Sequence, residues 1–374
     1  MKFRKGELFC GPGGLALGAK EAKYMHPETG EVFEFEHAWA NDIDEWACET
    51  FRTNICPDRP DSVVCGDVRE LDIKSLGEKF GEIDAFTFGF PCNDYSIVGE
   101  HKGMEGNYGP LYSYGVKILN EYNPLVFIAE NVGGLQSANE GKAFLGILND
   151  LASAGKYGYK LVPHLYKFEE YGVPQRRHRI IIVGIRKDQD VAFRVPEPTH
   201  KEKYRTASEA LADIPEDALN HEFTRHKKKV VEMLNHIAPG GNAWSESIPE
   251  ELRLNVKKVR MSQIYRRLHP DQPSYTVTGS GGGGTHGYHW EEPRALTNRE
   301  RARLQTFPDD YEFIGKKEMV RKQIGMAVPP DGAKIILEAV LKTFARIEYP
   351  SINSKWDFES VSAEQVIEEV QEIM

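Results

Sequence analysis

The run Ala85-Phe-Thr-Phe-Gly-Phe90 is apolar and β-prone, and Pro91 stops it. A run of that length and composition predicts a strand buried on both faces, the signature of a parallel sheet. Proline has no N–H to donate to a ladder, so pairing ends there. The next residue is Cys92. A cysteine just past the carboxyl end of a buried strand sits where open α/β sheets bind their ligands. Its thiolate would be a strong nucleophile. A lone cysteine at a strand end is more often a small buried thiol, so the rest of the chain has to decide between the two.

Other strand candidates end in the same way. Glu7–Cys10 leads into Gly11-Pro-Gly-Gly14, a glycine turn before a helical run. Glycines there permit a tight bend and close backbone approach to a ligand beside a helix N-terminus. Val32–Trp39 leads to Asn41-Asp-Ile-Asp44, where Asp42 and Asp44 compete for a ribose hydroxyl pair, and a helix follows over Trp46–Phe51. Ser62–Cys65 leads to Gly66-Asp67-Val68, and Leu125–Ala129 leads to Glu130-Asn131-Val132. Packing gives no reason for buried strands to end repeatedly in Asp42, Asp67, Cys92 and Glu130. Convergence of the tips on one sheet edge does. Leu161–Phe168 and Ile180–Ile185 read as two more strands around Gln175-Arg-Arg-His-Arg179, and Tyr112–Glu121 reads as a helix. Strands alternating with helices make the fold class α/β.

Glycines at 99, 103, 106 and 109 mark a long loop after Cys92, a composition typical of active-site lids. From about Lys187 prolines break the rhythm. Short pieces such as Ala207–Leu211 follow, then the loop Gly279–Gly284. A helix over Arg294–Gln305 is opened by a Thr297-x-x-Glu300 capping box, and a last apolar helix spans Gly332–Phe344. The formal net charge of −10 argues weakly against a polyanion partner. Residues 186–267, however, hold 16 Lys/Arg against 13 Asp/Glu, so the basic charge is concentrated there. Five cysteines without a CxxC pair predict a reduced, cytoplasmic protein with neither a disulfide framework nor a metal. No apolar run is long enough to span a bilayer.

In motif order and spacing the chain resembles the DNA (cytosine-5)-methyltransferase family. Phe9-x-Gly11-x-Gly13-Gly14, Gly89-Phe-Pro-Cys92, Glu130-Asn131-Val132 and Gln175-x-Arg177-x-Arg179 carry the likeness. So do Pro273-Ser-Tyr-Thr-Val-Thr278, Arg299-Glu-Arg-Ala-Arg-Leu-Gln305 and Gly325-x-Ala327-Val-Pro-Pro330. The resemblance implies a seven-strand mixed sheet of the AdoMet-dependent, Rossmann-like type with a smaller target-recognition domain. It implies a discontinuous catalytic domain over 1–186 and 318–350 and recognition over 187–317, while the acidic tail over 351–374 reads by its own composition as helical from Ser362. The resemblance also implies S-adenosylmethionine (AdoMet) as methyl donor, S-adenosylhomocysteine as product, and no metal. The acceptor would be cytosine in double-stranded DNA, modified by a monomer within a restriction-modification system that leaves room for a cognate restriction endonuclease.

By the same resemblance Cys92 adds to the pyrimidine, Glu130 and Arg179 hold the ring, and Arg177 supports Glu130 or the loop. Phe9, Gly11, Gly13, Gly14, Asp42, Ile43, Asp67, Val68, Pro91 and Leu111 would contact the cofactor. The sequence departs from the family at Asn93, where glutamine is usual, at Met326, where asparagine is usual, and at Ile43, where an aromatic residue is frequent. Methylation of tRNA is the nearest alternative, but that branch's Cys-Phe-Thr signature is absent. A catalytically dead DNA-binding relative is opposed by intact Cys92, Glu130 and Arg179. An NAD oxidoreductase would share the glycine turn but gives no reason for Pro91-Cys92.

Overall fold

The computed structural model describes residues 1–90, 111–132, 142–255, 261–279 and 283–356. Two compact units divide the chain. Met1–Lys167, His178–Glu197 and Gly332–Met374 form the first, and Phe168–Arg177 with Pro198–Asp331 form the second. The strands are β1 (Lys2–Leu8), β2 (Lys23–Met25), β3 (Val32–Asp42), β4 (Val63–Cys65), β5 (Ala85–Gly89), β6 (Val126–Val132), β7 (Tyr159–Lys167), β8 (Gln175–Arg176), β9 (His178–Arg186), β10 (Val195–Pro196), β11 (Ser274–Tyr275) and β12 (Ser351–Ile352). The helices are α1 (Gly14–Glu21), α2 (Glu45–Ile55), α3 (Ile73–Phe80), α4 (Tyr112–Tyr122), α5 (Lys142–Ser153), α6 (Ala207–Leu211), α7 (Lys228–Asn235), α8 (Asn298–Leu304), α9 (Lys317–Met326) and α10 (Pro330–Phe344).

The first unit is built on one mixed sheet of order β2-β3-β1-β5-β6-β9-β7, with β4 also on β3. β2 pairs only with Val32–Glu34 and β4 only with Ala40–Asp42. Seven strands therefore make the body of the sheet, and β2 is a short edge piece. β3, β4, β1, β5 and β6 run parallel, while β9 is antiparallel to both β6 and β7. The chain leaves β1 for β3 on one side and later returns to place β5 on the other. That reversal at β1 is the kind of switch point beside which α/β sheets bind ligands.

β1 begins at Lys2, five residues before the expected start, and ends at Leu8. Its basic residues hid it. Lys5 is buried within the sheet, paired with Glu7 and donating to Thr87 Oγ1 at 3.2 Å. Phe9 and Cys10, expected to close the strand, belong to the turn, where Phe9 has φ 55°. The core is aromatic: Trp39, Phe86, Phe88 and Phe127 are fully buried, each worth about 1.5–3 kcal/mol by burial. A Cβ at Gly184 would sit 2.1 Å from the Phe127 ring, so β9 needs a glycine there. After α10 the chain adds β12 to β10. The expected tail helix from Ser362 lies outside the described residues.

The second unit has little regular structure. β8 and β11 pair over two residues each, and α7 packs an apolar cluster of Met233, Leu234, Ile237, Ile248, Tyr288 and Ala295. Buried arginines supply what short ladders do not. Arg267 donates to the carbonyls of Leu234, Ile237 and His289 at 2.8–2.9 Å. Arg299 donates to those of Leu219, Pro308 and Tyr311 at 2.7–2.8 Å. A buried carbonyl left unpaired costs about 1–3 kcal/mol, so these guanidinium groups hold the loops in place. The capping box at Thr297 and Glu300 is present, and α8 starts at Asn298, four residues later than expected. Arg294, read as helical, lies ahead of the cap and is held by Glu292 and Glu300.

Candidate active site

Two groups of expected site residues lie along the carboxyl edge of the first unit's sheet. The first surrounds the tips of β1, β3 and β4. Gly11 and Gly13 take φ of 53° and 97°, a region open to glycine without strain. Gly13 opens α1, whose first amides receive no side-chain cap. Asp42, at the end of β3, organises this turn. Its Oδ2 accepts the Gly11 amide and its Oδ1 the Asp44 amide, both at 2.8 Å. Asp44 caps α2 through the amides of Trp46 and Ala47. The two competing acids thus have different placements, one on the glycine turn and one on the helix start. Ile43 between them is 67% exposed, and Trp46 presents a second large apolar surface at 38%. Trp46 was not singled out from the sequence; a bulky aromatic inside the first turn of a capped helix was the available signal.

Asp67 follows β4 and lines a crevice of about 380 Å³ with Asn41, Gly66, Leu71 and Ser75. Hydrogen bonds from the Arg69 guanidinium and amide hold its carboxyl below the usual range. Val68 is buried in the core at 4% exposure, and Phe9 and Leu111 pack partly buried against the same core. Cys10, in the glycine turn, is buried, and burial pushes its thiol well up, so it is not a competing nucleophile.

The second group lies at the tips of β5, β6 and the start of β9. Glu130 pairs with Gly89 across β5 and β6. Arg179 Nε donates to Glu130 Oε1 at 2.9 Å, with both side chains 13% exposed, and its Nη1 donates to the His178 carbonyl at 2.8 Å. The sheet therefore brings together the acid and one of the two expected arginines. Asn131, buried at 2%, adds a contact the sequence gave no role. Its Nδ2 donates to the Phe90 carbonyl at 3.3 Å and its Oδ1 accepts the Val132 amide at 2.8 Å. The last described residue before Pro91 is thereby tied to β6. Pro91, Cys92, Asn93 and the glycine-rich loop lie outside the described residues.

Arg177 belongs to the second unit. Its Nη1 donates to the Val277 carbonyl at 3.1 Å and its Nη2 to the Gly325 carbonyl at 3.0 Å. Gln175 reinforces this junction. It accepts the Val277 amide at 2.7 Å and donates to Gln305 at 2.9 Å, and Gln305 donates on to the Ile324 carbonyl at 2.7 Å. Motifs far apart in the chain are thus one buried polar network. Gly325 is needed there, since a Cβ would stand 2.0 Å from the Gly279 nitrogen. Met326, beside it, is 64% exposed.

The C-5 cytosine-specific DNA methylase family matches residues 3–342. The chain is 43% identical over 345 residues to the type II methyltransferase M.NgoFVII of Neisseria gonorrhoeae, covering 90% of this chain and 86% of that one. It is 30% identical over 469 residues to the DNA (cytosine-5-)-methyltransferase M.ApeKI of Aeropyrum pernix, covering 89% and 97%. Among solved structures, a prophage-encoded E. coli protein described as a DNA modification methyltransferase superposes with a TM-score of 0.65 at 23% identity, covering 92% of this chain and 99% of that one. That likeness carries the fold, and the sequence matches carry the lineage: the chain belongs to the C-5 cytosine-specific DNA methylase family.

Proposed function

We propose that the protein methylates carbon 5 of a flipped-out cytosine in double-stranded DNA, through a covalent adduct on Cys92. In this reading it is the modification enzyme of a type II restriction-modification system and acts as a cytoplasmic monomer. The observation that carries the reading is the Glu130–Arg179 pair, held opposite Gly89 on the strand that leads in sequence to Cys92. A paired carboxylate and guanidinium at that sheet edge are suited to the Watson–Crick edge of a pyrimidine.

Carbon 5 of cytosine is a weak nucleophile. Addition of the Cys92 thiolate at carbon 6 converts the ring to an enamine with electron density at carbon 5. Glu130 holds a proton at ring nitrogen 3 as charge builds there, a general-acid role worth about 10²–10⁴ in rate. Arg179 fixes Glu130 through its Nε and holds the ring carbonyl. AdoMet supplies the electrophilic methyl group. Loss of the carbon 5 proton to water and departure of the Cys92 sulfur restore the ring. The base has to leave the stack first, at a cost of a few kcal/mol, which closure of the Gly99–Gly109 loop would offset.

The glycine turn suits that donor. Gly11 has open space where a Cβ would stand, and Asp42 presents a carboxylate beside it. Phe9, Gly13, Gly14, Ile43, Asp67, Val68, Pro91 and Leu111 complete the set that would hold it. Arg177 acts as a positioning residue, and the second unit carries target recognition. Incubation with a duplex containing 5-fluorocytosine tests the reading, because the fluorine cannot leave as a proton does. A permanent adduct on Cys92 is expected by mass spectrometry. Turnover on normal DNA with only unmodified Cys92 peptide in the fluorinated mixture would overturn it, as would methyl transfer by Cys92→Ser.

A further inference from the structure

The crevice lined by Asp67 also has a cysteine in its wall. Cys65, the last residue of β4, lines it and is exposed. Cys48, in the first turn of α2, is fully buried. The backbone places the two together. Cys65 is the ladder partner of Asp42, and the Gly66 amide donates to the Asp42 carbonyl at 2.9 Å. Cys48 Sγ donates to that same carbonyl at 3.4 Å, and the Cys48 and Cys65 side chains share a hydrogen bond. Farther along α2, Arg52 Nη2 donates to the Val63 carbonyl at 2.7 Å, so helix and strand are fastened at both ends of β4. Among the described residues Cys10 and Cys56 are buried, which leaves Cys65 as the one exposed cysteine. The proposed methyl transfer uses neither thiol of this pair.

The two cysteines differ in reach. Burial, then the hydrogen bond with Cys65, pushes the Cys48 thiol up, so it is inert alone, whereas Cys65 is open to solvent. We propose that Cys48 and Cys65 are a reversible oxidation site, which a peroxide converts to a disulfide and which thereby weakens binding of the methyl donor. The Cys65 thiolate attacks one peroxide oxygen, the O–O bond breaks, hydroxide leaves, and Cys65 becomes a sulfenic acid. The Cys48 sulfur then displaces hydroxide from the Cys65 sulfur, and the S–S bond forms. Two thiols give up two electrons and two protons, and one hydrogen peroxide becomes two waters. A small thiol reverses the bond by exchange, as befits a transient disulfide in a reducing compartment. An S–S bond is about 2.05 Å long, so the sulfurs close from hydrogen-bond separation and the Cys48 proton leaves the Asp42 carbonyl. Asp42 holds the Gly11 and Asp44 amides, and Asp67 stands two residues from Cys65, so the bond pulls on both acids. The inference rests on the reading of this sheet edge as the donor site.

The test uses full-length Cys92→Ser protein, which keeps oxidation of Cys92 out of the readout. After hydrogen peroxide, tryptic cleavage at Arg52 separates the two cysteines, and fragment masses locate any bond. The expected product is a pair of peptides joined through Cys48 and Cys65, two hydrogens lighter than their sum and released by dithiothreitol. Affinity for S-adenosylhomocysteine, by calorimetric titration, should fall roughly tenfold on oxidation, the loss of about one hydrogen bond, and recover on reduction. Adding Cys48→Ala should abolish that response, each protein being compared with its own reduced form. Cys65 found only as sulfinic or sulfonic acid, or a bond made through Cys56, overturns the pairing. Equal affinity of the joined and reduced forms, or a response that survives Cys48→Ala, overturns the coupling to the donor. A reduced wild type that binds no S-adenosylhomocysteine would instead refute the donor-site reading, since the joined peptide is measured without it.

Discussion

Arg177→Met should damage the fold of the second unit more than the chemistry. The side chain is 1% exposed, and two of its N–H groups reach the Val277 and Gly325 carbonyls at 3.1 and 3.0 Å. A hydrogen bond from a charged group contributes about 1.5–3 kcal/mol. Methionine fills most of the volume but leaves both carbonyls without that donor. Removing two such bonds should therefore cost about 3–6 kcal/mol, a large share of the 5–15 kcal/mol typical of a native protein. For a unit of this size that corresponds to a fall in melting temperature of roughly 6–24 °C. Differential scanning calorimetry of the full-length protein should show one transition displaced by that amount. Arg177→Lys should fall between, because one ammonium is a compact donor and not a fork. If Arg177→Met melted with the wild type while methyl transfer collapsed, the guanidinium would be acting on the reaction and the positioning role would be wrong.

Glu130→Gln keeps the shape of the Arg179 contact but removes the proton donor. The rate of methyl transfer should fall about 10²–10⁴-fold with DNA binding retained, and a loss below threefold in a radiolabel assay would exclude the role. Asp42→Ala strips the acceptor from the Gly11 and Asp44 amides and should weaken S-adenosylhomocysteine binding by at least about tenfold in calorimetric titration; unchanged affinity would remove Asp42 from the donor site. Gly184→Ala drives a methyl group into the Phe127 ring and should cost about 1–3 kcal/mol by urea unfolding; an unchanged midpoint would mean that β9 shifts freely. Burial, with Lys5 and Arg59, lowers the pKa of His37 to about 3, and burial with Lys355 lowers that of His164 to about 4. Both are neutral in the fold, while the unfolded chain takes up protons below about pH 6.5, so stability should decline from there toward pH 4. The slope is at most about 1.4 kcal/mol per pH unit for each group. His37 Nδ1 is buried without a partner, so a proton there would have no acceptor. Urea midpoints equal at pH 7 and pH 5 would contradict this.

What could be read from the sequence divides along a physical line. β5 was legible because its run is locally consistent, apolar and closed by proline, and the observed strand Ala85–Gly89 follows it closely. The capping box at Thr297 was legible because it is a bond between residues three apart. The first half of β1 was not, because Lys5 looks like a surface residue until Glu7 and Thr87 are placed around it, the latter 82 residues away. The helices α3 and α7 escaped for a related reason. They bury few residues, only Leu76 in α3 and Met233 and Leu234 in α7, so the apolar stripe that announces a helix is thin. The arginines were the hardest. Sequence gives Arg177, Arg179, Arg267 and Arg299 one chemistry, yet structure gives them two uses. Arg179 meets a carboxylate at the sheet edge, while the others close loop carbonyls in a unit with few ladders of its own.

Glu130 and Arg179 come from paired strands with register fixed by the sheet, Gly89 to Glu130 and Val132 to Arg179. Asn131 then links the Phe90 carbonyl to the same strand. Asn131→Val would keep a β-prone residue at the tip but break the link. If the link sets where the segment carrying Cys92 departs, the variant should retain its melting temperature to within a few degrees and lose rate, with Glu130 and Arg179 both present. It should also slow formation of the 5-fluorocytosine adduct by about the same factor as turnover, because a misplacement of one ångström can cost about a hundredfold. An Asn131→Val protein that forms the adduct at the wild-type rate would show that the cysteine segment takes its position from elsewhere.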